Sequence, residues 1–522
     1  YEPGAWVIDR NDLNYIEVFS VIAEILFKFS GFDGKQLEDA RKLAWQISRI
    51  ALWDDLAGKY REAFNIALGK AQSREELYRD KRQPDMLMSF PLKQHQTPVW
   101  HKVLVKPGIP ERFNGLKRLS RNLWWCWNHE AEELFRMIDP VQWEALHHNP
   151  IALLESLTVK QMLQLERNEA FVSKLDHVYE EFERYMKKGA EKSKHQIAYF
   201  SMEYGLHDTV QIFSGGLGVL AGDYLKEASD SNANMVGVGL LYRYGYFRQS
   251  LSISGDQVDT YNPQKFTHMP LKPVRNGNGE WLKVSIALPG RNLYAKVWKL
   301  DIGRVPLYLL DADIEDNNEQ DRFITHQLYG GDWENRFKQE LLLGVGGIRM
   351  LKALGLTPSV YHCNEGHAAF IGIERLRLLV QEQKFSFDQA LEVVRATQLF
   401  TTHTPVPAGH DAFSEDVLRA YIPHYADRLN LSWNSFMNLG RYVEDKHDEK
   451  FSMSVLATRL SQEMNGVSRI HGRVSREMFQ GMFPGYYPEE LYISHVTNGV
   501  HLPTWASDRK STRLNSSHRI RS

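Results

Sequence analysis

The sequence predicts an α/β protein in which a mainly parallel sheet follows a set of helical segments, and three observations carry that reading. From His195 onward short apolar runs, among them QIAYFSMEY, MVGVGLLYRY, SVYHCNEG and QLFTTHTP, alternate with helical stretches such as WENRFKQELLLGVGGIRMLKAL. Strands separated by helices of that length are the pattern of parallel strands joined by crossovers. Before His195 the apolar residues recur at helical spacing instead. A glycine-rich turn, FSGGLG, then sits where a strand-like run passes into a helix.

In chain order, Ile16, Phe19, Ala23 and Phe27 share one helical face, with Asp12 placed to cap that helix and Gly31 to end it. Leu56, Tyr60, Phe64 and Ala67 share a second face, so residues 1–75 read as helical. The polar, proline-punctuated residues 76–97 read as a linker. Residues 98–190 form a second block: VWHKVLVK predicts a short strand, and Leu116, Leu119, Leu123 and Trp127 a helical face, with breaks expected at Pro140 and Pro150. Residues 191–506 are the α/β lobe, in which the runs around residues 282–310 look like an antiparallel insertion. The basic, serine-rich residues 507–522 depart from that texture and read as a scar unrelated to the fold.

With 63 basic and 65 acidic side chains the net charge is -2, so there is no general field for nucleic acid or an anionic membrane. The two cysteines, Cys126 and Cys363, lie too far apart for a metal-type spacing and offer no disulfide framework, which fits a reducing cytoplasm. The opening YEPGAWVIDRND lacks the basic start and apolar run of a secretory signal, and neither export nor membrane insertion is expected.

In open α/β sheets ligands collect beyond the carboxyl ends of strands, so the residues that follow each strand are the informative ones. After the first lies QIFSGGLGVLAGDYLKEAS, where Ser214 can cap a helix and Gly215, Gly216 and Gly218 let the backbone approach a ligand. A helix start of this kind attracts anions, because its first amides lack partners. Glycines serving only tight helix-to-strand packing are the equal alternative. SVYHCNEGHAAF gathers His362, Cys363, Glu365 and His367, but alternating strand geometry separates neighbours and the HExxH spacing is absent, so no metal is expected. Asn364, Glu365 and His367 read instead as a polar strand-to-helix turn. FTTHTPVPAGHDAF adds His403 and Thr404, and ISHVTNGVHLPTW adds Asn498 and Gly499. Such groups suit a neutral polyhydroxyl ligand better than a nucleotide. Glu203, Asp332, Glu334 and Glu365 leave open a glycosidase carboxyl pair.

The ordered set YFSMEYG, SGGLG, YRYGYFRQ, ENRFKQE, CNEGHAAF, THTPVPAGHDAF, NGVSRIHG and VTNGVHLPTW resembles the α-glucan (glycogen, starch, maltodextrin) phosphorylases of the shorter bacterial type, over residues 98 to 506. Residues 1–75 are similar to the C-terminal end of bacterial glycogen synthases. The resemblance implies the N-terminal Rossmann-like lobe of a two-lobed GT-B fold and a reaction in which phosphate cleaves a terminal α-1,4-glucosyl unit to glucose 1-phosphate. It implies that Gly215, Gly216 and Leu217 cradle phosphate beside pyridoxal phosphate, and that His403 meets the sugar 6-hydroxyl. Asn498 would bond the same sugar, while Glu365, His367, Thr404 and Val467 would line the pocket. Where the family often has Asp-Thr-His, this chain has Glu365, Gly366 and His367.

The family's cofactor lysine lies in a second lobe for which no counterpart precedes residue 507, so the chain reads as part of an enzyme, inactive alone. Inorganic phosphate, an α-1,4-glucan and glucose 1-phosphate are the expected partners, with an oligomer possible and no nucleic acid or membrane. Two other readings compete: a nucleotide-sugar glucosyltransferase of the same fold, and a non-catalytic glucan-binding module.

Overall fold

The computed structural model describes residues 15–49, 61–62, 64–70, 109–188, 194–406 and 410–506. The expected strand VWHKVLVK, the linker, Asp12 and the tail lie outside these residues. The chain begins with α1 (Tyr15–Ser30) and α2 (Gly34–Arg49), and Gly31 ends α1 as its sequence suggests. The face of α1 read as apolar is formed but not covered: Phe19 is 67% and Phe27 82% exposed. Farther on, Phe64 and Ala67 are buried.

The second block comprises α3 (Asn114–Ser120), α4 (His129–Ile138), α5 (Pro140–Ala145), α6 (Pro150–Ser156), α7 (Val159–Glu166) and α8 (Glu169–Lys187). The periodic face of Leu116, Leu119, Leu123 and Trp127 is buried as expected, although it is shared between α3 and a tight turn begun by Asn122, whose side chain accepts the Trp124 N–H. The helical pattern does break at Pro140 and Pro150, and each proline starts the helix that follows. Each takes the first helical position, where a missing N–H costs nothing, behind the capping side chains of Asp139 and Asn149. Trp125 and Trp143 form the centre of this block, with Phe135 stacked on Trp143. The block is joined to the sheet by Asn122, which exchanges two hydrogen bonds with the backbone of Gly303, and by Arg304, which donates to the carbonyls of Tyr185, Ser229 and Asp230.

Beyond it lies a ten-stranded sheet. Its strands are β1 (Ile197–Phe200), β2 (Met235–Leu240), β3 (Leu271–Pro273), β4 (Lys283–Leu288), β5 (Arg291–Ile302), β6 (Val305–Asp311), β7 (Val360–Asn364), β8 (Gln398–Thr402), β9 (Glu463–Gly466) and β10 (Ile493–His495). Their order is β10-β9-β8-β7-β1-β2-β6-β5-β3, with β4 also paired to β5. From β10 to β6 every neighbouring pair is parallel. Within the expected antiparallel insertion at residues 282–310, β4 and β5 pair antiparallel, and β3 joins β5 from outside that range, but the insertion is no separate unit. It continues the sheet, because β6 runs antiparallel to β5 and parallel to β2.

β1 is central. The chain proceeds from β1 to β2 and β6 on one side, then returns to lay β7, β8, β9 and β10 on the other. Adjacent connections therefore diverge between β1 and β7 and leave a crevice beyond their carboxyl ends, the place where open α/β sheets bind ligands.

Candidate active site

Two strand ends and two helix starts meet at that crevice. A cleft of about 640 Å³ is lined by Leu217 from the start of α9 (Gly216–Asp230), by Glu365 and His367 after β7, and by His403 and Thr404 after β8. Tyr329 through Trp333, Arg336 on α10 (Trp333–Leu341) and Asp411 complete it. A larger cavity of about 830 Å³ surrounds Lys70, Arg395 and Arg459 and reaches Glu463, the first residue of β9. Volume does not decide between them. The smaller cleft is the candidate site because the carboxyl ends of the strands converge there.

The glycines at the start of α9 divide by position. A Cβ on Gly222 would lie 1.8 Å from the carbonyl oxygen of Gly205, and one on Gly218 would lie 2.7 Å from Glu203, so those two glycines serve packing. A Cβ on Gly215 or Gly216 would meet nothing within 4 Å. Gly215 and Gly216 are exposed, and the first amides of α9 have no intrahelical acceptor. Ser214 does not cap the helix; Gly215 occupies that position. The reason is Glu203, whose Oε2 accepts the N–H groups of Ser214 and Gly215 at 2.7 and 3.2 Å while its Oε1 accepts Tyr329 Oη at 2.8 Å. The turn is thus held from behind by a buried carboxylate.

Glu365 plays a similar part on the opposite wall. Its Oε2 accepts the backbone N–H of His403 at 2.6 Å and of Thr404 at 3.2 Å, and Oε1 accepts that of Gly366 at 3.2 Å. Burial pushes its pKa up to about 7, against the lowering effect of these three amides.

His403 donates through Nε2 to Asn364 Oδ1 at 2.7 Å, and Asn364 in turn donates to Ser201 Oγ at 3.2 Å. Burial, then the neighbouring His471, takes the His403 pKa down to about 3, so the ring is neutral with Nδ1 as its acceptor. His367 is likewise neutral: burial, then Arg336, takes it to about 3, and its Nε2 accepts the Met202 N–H at 3.0 Å.

The cleft's cation was not among the residues singled out from sequence. Arg336 Nη2 donates to Asp411 at 2.7 Å, its Nε lies 3.0 Å from Glu340, and its guanidinium lies 4.7 Å from the centre of the Tyr329 ring. Burial works against ionisation of both Arg336 and Asp411, and is overridden at Arg336 by the charges of Glu340 and then Asp411, and at Asp411 by that of Arg336. The signal available in sequence was the Arg336–Glu340 pair, one helical turn apart in ENRFKQE.

Of the four carboxylates weighed as a glycosidase pair, Glu203 and Glu365 are bound to backbone amides, Asp332 caps α10 through the Asn335 N–H, and Glu334 pairs with Lys338. Val467 and Asn498 lie outside the residues that line the cleft; Asn498 is exposed, and its N–H donates to the Val467 carbonyl at 3.0 Å. His362, from the cluster that suggests metal ligands, packs edge-on against Tyr199, and Cys363 Sγ donates to the Glu365 carbonyl.

Residues 356–514 match the carbohydrate phosphorylase family, and residues 109–210 match a family described as a protein of unknown function, DUF3417. Glycogen phosphorylase of Mycobacterium tuberculosis is 42% identical over 428 residues, 77% of this chain and 49% of its own length. Maltodextrin phosphorylase of Thermococcus litoralis is 38% identical over 77% of this chain and 48% of its own length. For the glycogen phosphorylase of Aquifex aeolicus the figures are 36%, 75% and 56%. The chain spans about half the length of these relatives. With its strand-end cleft and its phosphorylase segment, the chain is a homologue of the glycogen and maltodextrin phosphorylases.

Proposed function

We propose that this chain is the N-terminal, Rossmann-like lobe of a two-lobed GT-B α-glucan phosphorylase, which cleaves terminal α-1,4-glucosyl units with phosphate to release glucose 1-phosphate. The observation that carries the reading is the pairing, across one cleft, of an open helix start with a neutral histidine. Gly216 and Leu217 at the start of α9 offer amides to an anion, with open space before Gly215 and Gly216. His403, neutral and fixed by Asn364, offers Nδ1 to a sugar hydroxyl.

In this mechanism the helix start and Arg336 set the position of phosphate, and Glu365 holds the strand-end backbone that bears His403 and Thr404. Cleavage of the glucosidic bond builds positive charge at the anomeric carbon, and an anion held beside it stabilises that charge. Fixed polar walls orient the sugar and exclude water, which favours attack by phosphate over hydrolysis. Asn498 and Val467, at the ends of β10 and β9, extend the sugar side of the site.

Pyridoxal phosphate is the cofactor the family likeness implies, and its phosphate fits the same open turn. When bound it supplies a second phosphate able to exchange a proton with the substrate phosphate. Among the described residues that line the cleft there is no lysine to hold its aldehyde. Residues 1–75, which lie outside both family matches, rest on their likeness to the end of a glycogen synthase alone. Both cysteines are free, in keeping with a reducing cytoplasm.

The test is release of glucose 1-phosphate from maltoheptaose and phosphate, with pyridoxal phosphate added, by this chain and by the chain extended to its relatives' length. Activity in the extended protein alone is the expected result. Hydrolysis to glucose, or transfer from a nucleotide sugar, would overturn the reading.

A further inference from the structure

Helix α9 buries charge beyond the turn that reaches the cleft. Asp223 and Lys226 are each 1% exposed, and Asp230 follows at the spacing that keeps all three on one face. Buried charges are costly unless paired and shielded, so their cover is informative. That cover is the last described stretch of the lobe, residues 499–506. The His501 N–H donates to Asp223 Oδ2 at 3.0 Å, and Trp505 Nε1 donates to the same oxygen at 2.7 Å. Lys226 donates to Thr504 Oγ1 at 3.1 Å, and His501 Nε2 lies 3.2 Å from Asp230 Oδ2.

The other side of this stretch is closed by the helical block of α3 to α8. Trp127 stands edge-on to His501, with ring centres 5.6 Å apart at 88°, and its Nε1 donates to Asp230 at 3.3 Å. The Lys226 ammonium lies 5.9 Å from the centre of the Trp127 ring. His129, at the start of α4, brings Nε2 to 3.1 Å from the Ala506 carbonyl oxygen. His501 is fully buried between the two walls.

We propose that this helical block, within the segment whose family model is described as a protein of unknown function, is a clasp that closes residues 499–506 onto the polar stripe of α9. The clasp fixes the path of the polypeptide as it leaves the strand end bearing Asn498. Because the first turn of α9 faces the cleft, that path is referenced to the cleft by a single rigid helix. The partner of this surface is the chain's own segment, and the inference does not depend on phosphorolysis.

Hydrogen exchange read by mass spectrometry on the full 522-residue chain tests it. The amides of His501, Thr504 and Ala506 are each hydrogen-bonded and report on the segment. His129→Ala, and separately Trp127→Phe, which keeps a ring but loses the N–H to Asp230, should speed exchange in residues 501–506 by about tenfold, as expected for one hydrogen bond's net worth. Exchange in β1, β2 and β7 should stay unchanged. Unchanged exchange in residues 501–506 in both variants would overturn the clasp, most clearly if Asp223→Asn did speed it, since the hold would then reside in α9 alone. Acceleration spread evenly through the sheet would overturn it too, by showing the block to be ordinary core.

Discussion

Glu365 Oε2 accepts the backbone N–H of His403 at 2.6 Å across two neighbouring strand ends, and the residue making this bond carries φ 73° and ψ 166°, a region that belongs almost entirely to glycine. The carboxylate and the strain are separable. Glu365→Ala removes the acceptor of three amides and keeps the backbone strain, so stability should fall by about 2–4 kcal/mol. Glu365→Gly removes the same acceptor but relieves the strain, and should be more stable than the alanine variant by about 1–3 kcal/mol. Urea unfolding of the three proteins checks the order. A glycine variant no more stable than the alanine one would show that the conformation costs nothing here.

The buried imidazole of His403 gives a pH dependence with a defined sign. Its folded pKa, about 3, lies below the ordinary value of 6.5, so between those limits the unfolded chain binds a proton that the folded chain refuses. Stability is then lost as pH falls from 6.5 toward 3, by up to about 1.4 kcal/mol per pH unit from this group. Glu365, raised to about 7, acts in the opposite sense over pH 4.5–7. Comparison with His403→Gln isolates the histidine: the stability of the native protein relative to the variant should decline between pH 6.5 and 5. Urea midpoints at those two pH values measure it, and a constant difference would mean that the imidazole ionises in the folded state.

How much of this was legible beforehand follows from where each group sits. Leu217, Glu365, His367, His403 and Thr404 were readable because each directly follows an apolar strand or begins a helix, and they do line the cleft. Arg336 and Asp411 sit 75 residues apart on a helix and a loop, and only the tertiary fold brings them to 2.7 Å. Ser214 was misread as a cap for a related reason: the competing acceptor, Glu203, lies on the far side of a hairpin. Most of the strands were plain, but the short β3 and β9 were not read, and neither was the reversal of strand order about β1, since no local pattern names a strand's neighbours. For the same reason the runs at residues 282–310, which form β4, β5 and β6, looked like an insertion until the pairing of β6 with β2 made them part of one sheet.

The two kinds of glycine in the turn and helix of α9 predict opposite outcomes. Gly222→Ala would force a methyl group to within 1.8 Å of the Gly205 carbonyl oxygen, which rigid backbone cannot yield, and should cost several kcal/mol, on the order of the overpacking limit. Gly216→Ala places its methyl in open space and should leave the melting temperature unchanged. On the proposed function it should nevertheless raise the KM for phosphate in the extended enzyme, because the methyl enters the space before the helix amides. A stable variant with native phosphate dependence would remove this turn from the phosphate site.

Arg336 offers the last test, because its two acidic neighbours are buried with it. Glu340 is fully buried and Asp411 largely so, and Arg336 is the cation placed between them. Burial, then the nearby Asp411, raises the Glu340 pKa well above the carboxylate range, while Arg336 keeps that of Asp411 low. Arg336→Ala should therefore strand an ionised Asp411 and cost about 3–5 kcal/mol, the range for breaking a buried ion pair. Adding Asp411→Asn to that variant removes the stranded charge and should restore part of the loss, with a coupling of about 0.5–3 kcal/mol in the double-mutant cycle. Urea denaturation of the four proteins gives the coupling directly. Strictly additive losses would mean that the two residues act independently, and that Arg336 owes its place at the cleft to the Tyr329 ring and Glu340 instead.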